Sequence, residues 1–198
     1  IYSSVNFEAH LEKYSLYENC EVSYSKSMKT DRTLSQIHNF MNDNIPLHKE
    51  YVVSVKANIP NNLKGKVYIA KVRDDGSFKY KGKVWRDKFL SAKTREFGKY
   101  AIVADTINPV ISDVTISTQK NKFGNIGSIS VKISDHQSGI TFYKGNIDGK
   151  WALMEYEYKV DKLIYYFPEN FTKGEHTIKI TVKDKLENET VLEQKFTY

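Results

Sequence analysis

Apolar and polar residues alternate in short runs over much of this chain, and a two-residue period is what a half-buried β-strand requires. Ile129, Val131 and Ile133 fall on one face with Ser128, Ser130 and Lys132 on the other. Ile178, Ile180 and Val182 repeat the pattern against Thr177, Lys179 and Thr181. Further β-rich runs lie at Val110 to Ser117, Phe142 to Ile147, Trp151 to Tyr158, Lys162 to Phe167 and Thr190 to Phe196. Together they make about seven strands, the pattern of a β-sandwich. Asp148-Gly149 predicts a tight hairpin, because both residues tolerate the positive φ of a primed turn. Lys173-Gly174-Glu175 marks the turn before the next strand.

The first half is less regular but also β-rich, with runs at Val22 to Ser25, Tyr51 to Ala57, Val67 to Val72, Ser77 to Tyr80, Lys83 to Arg86, Phe89 to Thr94 and Lys99 to Asp105. Tyr51, Val53, Val55 and Ala57 share one face. Thr33 to Met41 alone has a helical period, with Leu34, Ile37, Phe40 and Met41 on one side and Thr33 placed as an N-cap. It predicts one short helix or an ordered loop.

A join is expected at Thr106 to Pro109. Pro109 cannot donate to a sheet ladder and pushes Asn108 toward extended backbone. The chain is 198 residues long, enough for two domains that each bury a core. The fold class is therefore all-β, two tandem β-sandwich domains at residues 1–106 and 107–198.

Composition changes this picture little. The formal charge of +6 comes from 30 Lys and Arg against 24 Asp and Glu, and a basic excess can mark a polyanionic partner. The charges alternate in sign, as in Glu12-Lys13 and Lys183-Asp184-Lys185, so they read as a solvated surface. With Cys20 as the one cysteine, no disulfide can form within the chain, and a reactive or metal-bound role has no supporting ligand. No run approaches the ~18 apolar residues of a membrane span. The chain begins at Ile1 rather than Met and reads as a processed chain or an excised piece.

Catalytic chemistry finds no footing. His10, His38, His48, His136 and His176 lack the close spacing of zinc ligands and read as surface or turn residues. There is no nucleophile elbow, phosphate loop or reactive-cysteine signature. Glu155 and Glu157 share a strand face and read as outward charges rather than a glycosidase pair. Asp74-Asp75-Gly76 reads as a hairpin turn, and Asp135 and Asp184 as turn caps, in preference to calcium ligands.

The aromatic residues Tyr143, Trp151, Tyr156, Tyr158 and Tyr165, with Tyr166 beside them, are the most suggestive set. Exposed rings on a sheet can stack on sugars or on a partner protein. Trp151 and Leu153 alternate with Ala152, Met154, Tyr156 and Tyr158, so one of the two faces must be core. Trp151 reads as core or interdomain packing and the tyrosines as edge packing, with a binding surface as the alternative for all five. Glu155, Glu157 and Asp161 beside them argue against nucleic acid.

Several phrases resemble one family. Ser138-Gly139-Ile140, the block Gly145-Asn146-Ile147-Asp148-Gly149-Lys150-Trp151-Ala152-Leu153-Met154-Glu155-Tyr156, and Gly174-Glu175-His176-Thr177 are similar to the C-terminal region of cell-envelope zinc peptidases of the LytM/lysostaphin type found in Bacteroidetes. Leu16-Tyr17-Glu18-Asn19, Pro46-Leu47-His48-Lys49, and Phe97-Gly98-Lys99-Tyr100 with Asp105-Thr106 resemble the region that follows the peptidase domain there. The sequence departs from the pattern at Glu187, where such turns usually carry Gly, and at Tyr14-Ser15, which replaces Gly-Ala. The resemblance implies an immunoglobulin-like second domain, an exported location in the periplasm or cell envelope, and an accessory role without catalysis. The partner implied is the peptidase domain of the same parent chain, and peptidoglycan or another envelope protein are further candidates. Zinc, held by His-x-x-x-Asp and His-x-His, belongs to that peptidase domain. Neither motif occurs here, so no cofactor and no catalytic residue carries over.

Overall fold

The computed structural model describes residues 1–117 and 127–198. The chain divides into two compact units, Ile1–Thr106 and Ile107–Tyr198.

In the first unit the strands are β1 (Tyr2–Ser4), β2 (Phe7–His10), β3 (Tyr24–Ser27), β4 (Ile37–Phe40), β5 (Tyr51–Val55), β6 (Val67–Val72), β7 (Phe78–Gly82), β8 (Val84–Arg86), β9 (Phe89–Thr94) and β10 (Gly98–Ala104). They form two antiparallel sheets ordered β1-β2-β5-β9-β8 and β3-β4-β10-β6-β7. The inward positions of the alternating runs fill the core: Phe7, Phe40, Tyr51, Val53, Val55, Ile69, Leu90 and Ile102 are all buried. Phe7 and Phe40 approach ring to ring at 5.6 Å, and Phe40 meets Phe97 edge-on at 5.7 Å.

The helix expected over Thr33 to Met41 is a strand instead. Burial alternates across β4, with His38 and Phe40 inside, and β4 is paired on both sides, by β3 and β10. A helix would bury one stripe; between two strands the segment satisfies both rows of backbone groups. Thr33 caps nothing helical: its hydroxyl donates to the Ser35 carbonyl at 3.0 Å and accepts from the Thr30 N–H at 2.9 Å. Ser35 then accepts from the Ile102 N–H at 2.9 Å, tying the loop to β10.

The second unit contains β11 (Val110–Ser117), β12 (Ser128–Ser134), β13 (Ile140–Ile147), β14 (Lys150–Ala152), β15 (Glu155–Glu157), β16 (Lys162–Tyr166), β17 (Glu175–Asp184) and β18 (Glu189–Thr197). Two antiparallel sheets result, β11-β12-β16-β15 and β14-β13-β17-β18. Ile129, Val131, Ile133, Ile178, Ile180 and Val182 are all buried, as their alternation requires. Asp148 and Gly149 have φ of 50° and 77° and join β13 to β14 as the Asp-Gly pair predicts. The single strand expected over Trp151 to Tyr158 is two short ones, because the chain leaves one sheet after Ala152 and enters the other at Glu155.

The described residues are thus all-β, in antiparallel sheets consistent with sandwiches. No helix among them is long and apolar enough to cross a membrane.

Candidate functional site

The outward side chains of the second unit follow from where the chain changes sheets. Ala152 and Met154 are buried, so the residues between and beside them must turn out. Met154 fits because Gly145 has no side chain: a Cβ there would lie 2.6 Å from Met154 Cγ and 2.8 Å from its Sδ. Trp151 is consequently 67% exposed and Leu153 60%, which corrects the reading of Trp151 as core. In the register of β13 and β14, Trp151 stands opposite Asn146, and Asn146 stands opposite Lys179 on β17. Lys144, Phe142 and Val191 are exposed on the same outer sheet face. It is a face of apolar bodies set among lysines.

Tyr143 and Tyr156 belong to a different surface. Their registers set them on the face that carries the core, with Val182 opposite Tyr143 and Leu163 opposite Tyr156, yet both rings are partly exposed and their centroids lie 5.9 Å apart. The Tyr156 hydroxyl donates to Asp161 Oδ1 at 2.9 Å, which fixes its ring. Burial, the Asp161 carboxylate and Tyr143 all push the Tyr156 phenol above its usual value, burial most. Tyr158 follows in the turn and is 71% exposed. Tyr165 does not join them: it packs on the core edge-on to Phe167, centroids 5.6 Å apart. Tyr166, its neighbour, takes the outward place.

Two histidines are not surface residues. His38 is buried on β4, with Nδ1 2.8 Å from the Tyr24 hydroxyl and the Phe7 ring stacked on it. Its Nε2 has no hydrogen-bond partner among the described residues. Burial, aided by Lys26, pushes its pKa down to about 4, so it is a neutral core residue. His176, also buried, lies against Asp148. His10, His48 and His136 are exposed, as is Cys20.

The acidic turns are caps. Asp135 Oδ2 accepts from the N–H of Gln137 at 3.2 Å and of Gly139 at 2.5 Å. Asp184 Oδ1 accepts from Leu186 and Asn188 N–H at 2.7 and 2.8 Å, and its Oδ2 from the Asn188 amide at 2.6 Å. Asp75 Oδ1 accepts from Ser77 N–H at 2.8 Å in the β6–β7 hairpin. Glu155 and Glu157 are both exposed.

Residues 1–105 match the family described as Zu5-like domain. The chain belongs to the Zu5-like domain family. No curated protein matches it. The Zu5-like match takes in β1 to β10 and stops short of the second unit, so it says nothing of Trp151 or the tyrosines.

Within the Zu5-like unit, sequence reasoning missed a charged cluster. Glu96 accepts from Lys79 at 2.7 Å, Lys81 at 2.8 Å and Lys71 at 3.1 Å. Its signal was available: the turn at Asp74 to Gly76 sets Lys71 directly opposite Lys79, and facing like charges demand a counter-ion. Burial raises the Glu96 pKa, but the three lysines more than reverse that and hold the carboxyl far below the usual range.

Proposed function

We propose that this chain is the non-catalytic accessory region of an exported cell-envelope zinc peptidase, and that its second unit holds the peptidase domain of the same parent chain. The observation that carries the reading is the exposure of Trp151, on the outer sheet face that also exposes Phe142, with Leu153 exposed in the link that follows β14. Large apolar side chains grouped on a lysine-bearing face suit a protein partner better than water. The family resemblance in the Asp148 to Tyr156 block supports the parent's class. In this reading zinc and hydrolysis belong to the peptidase domain, and this chain supplies position.

We also assign the second unit an immunoglobulin-like topology. Labelling its strands A to G with C′ after C gives sheets A-B-E-D and C′-C-F-G, the arrangement of that fold with one added edge strand. Trp151 then sits on C′, the edge strand of its sheet.

Calorimetric titration of the chain with the parent's peptidase domain tests the reading. Binding is expected, with a Trp151→Ala, Leu153→Ala variant weakened about tenfold or more, as for a hot-spot aromatic. No binding, or cleavage of peptidoglycan by the chain alone with added zinc, sinks it. A second reading, in which the region binds wall glycan, is favoured by the Tyr143–Tyr156 ring pair. Sedimentation with purified sacculi that is lost in Tyr156→Ala, Tyr158→Ala would select it.

A further inference from the structure

A groove of about 810 Å³ opens in the first unit, far in sequence from the aromatic residues already described. That volume lies in the range of small-ligand sites, roughly 300–1,000 Å³. We propose that it binds an anionic saccharide, with Trp85 as the stacking platform.

Trp85 stands on β8, the edge strand of its sheet, opposite the buried Leu90. At this edge of the sheet the indole remains 40% exposed. Its Nε1–H donates to the Lys64 carbonyl at 3.4 Å. An indole held by its polar edge presents a fixed apolar face, and the C–H face of a pyranose stacks on such a surface.

Three asparagines line the same groove, Asn6, Asn58 and Asn61. Each amide carries two donors and an acceptor, the complement of neighbouring sugar hydroxyls. Asn6 is placed by the β1–β2 turn, whose carbonyl accepts from the Lys56 N–H at 2.9 Å. Ile59, buried beneath, anchors the segment that carries Asn58.

The charge at the groove selects the class of sugar. Lys56, Lys64 and Lys88 line it against Asp87 alone. Asp87 and Lys88 form the two-residue link between β8 and β9, with Asp87 at φ 52°, so the hairpin turn carries one acceptor and one cation to the rim. A cationic surplus beside an aromatic face and amides fits a ring bearing carboxylates better than a neutral one.

The test is titration calorimetry of the full chain with three probes at low salt: tetragalacturonate, neutral tetra-N-acetylchitotetraose and tetraglutamate. Tetragalacturonate is expected to bind, and the other two at least about tenfold more weakly, since each lacks one of the two recognised features. Trp85→Ala should lower the tetragalacturonate affinity about tenfold, while Trp85→Phe retains most of it. A Lys56→Gln, Lys64→Gln, Lys88→Gln variant should lose the salt dependence. Unchanged binding in Trp85→Ala, equal binding of the neutral sugar or of tetraglutamate, or no heat with tetragalacturonate at about 1 mM overturns the proposal. A thermal melt of Trp85→Phe checks that the fold is kept, and Trp151→Ala should leave all three titrations unchanged.

Discussion

His176 Nδ1 lies 2.6 Å from Asp148 Oδ2, and its Nε2 lies 2.9 Å from the Thr172 carbonyl. Both neighbours accept, an arrangement that favours the protonated imidazole, in which both ring nitrogens donate. The Asp148 bond foremost, against the opposing effect of burial, raises the His176 pKa above its ordinary 6.5. His176 and the Thr177 N–H in turn lower that of Asp148 below 3.8. A raised histidine contributes stability that is full below pH 6.5 and is lost as pH rises through the folded value. The lowered aspartate contributes stability that is full above pH 3.8 and is lost as pH falls. The melting temperature is therefore expected to be highest between these limits, and His176→Gln should remove the alkaline decline. A His176 titration by NMR with a midpoint at or below 6.5 would contradict this.

Glu96 anchors three ammonium groups, two of them on largely buried lysines, Lys71 and Lys81. Glu96→Gln should cost about 2 kcal/mol, between the roughly 0–1 of exposed pairs and the 3–5 of broken buried ones. Burial lowers the Lys81 pKa even with the carboxylate beside it, so the cost of its desolvation is not fully offset. Lys81→Met is accordingly expected to cost less than Glu96→Gln, or to stabilise. Urea unfolding of the two variants decides the order. The Glu96 contribution is present above pH 4.5, its ordinary value, and lost as pH falls toward the lowered folded value.

The strands were legible where one face is apolar and the other polar. β12 and β17 could be read directly because isoleucine and valine occupy the inward positions of β12 and the central inward positions of β17, between the buried His176 and Asp184 at its ends. β4 misled because Leu34, Ile37, Phe40 and Met41 fit a helical stripe, and only its pairing with β3 and β10 overrides that period. β14 and β15 looked like one strand because their composition is continuous. The change of sheet depends on Met154 filling the space left by Gly145, a contact across nine positions that no local period carries. Trp151 was misjudged for the same reason: alternation says that one face is buried, and packing decides which. For Glu96, the facing Lys71 and Lys79 of the β6–β7 hairpin call for a counter-ion, but that it is Glu96, on the link between β9 and β10, is set by tertiary packing alone.

Gly145→Ala is expected to destabilise the second unit by about 1–3 kcal/mol, the range for overpacking a filled core. Its Cβ would meet Met154 within 2.8 Å and the Ala152 carbonyl oxygen at 3.3 Å, and the buried Met154 has little room to withdraw. Met154→Ala should cost about 2–5 kcal/mol alone. Combined, the two should cost less than their sum by at least about 0.5 kcal/mol, since the added methyl occupies part of the vacated space. Additive costs in a double-mutant cycle would show that the two side chains do not compete.

Glu187 holds φ at 61°, in the left-handed region that favours glycine. The loop from Asp184 requires it: Glu187 N–H donates to the Asp184 carbonyl at 3.3 Å, and Asp184 N–H to that of Asn188 at 3.1 Å. Left-handed backbone costs a residue with a Cβ about 1–2 kcal/mol, and glycine would remove that. Greater freedom of glycine in the unfolded chain takes back about 0.5–1 kcal/mol. The ion pair between Glu187 and Lys183 is long, 3.9 Å, and exposed, so its removal subtracts little. Glu187→Gly should therefore raise unfolding free energy by up to about 1 kcal/mol, whereas Glu187→Ala, which keeps the strain, should not. Equal stability of the two variants in urea melts would place the constraint elsewhere in the turn.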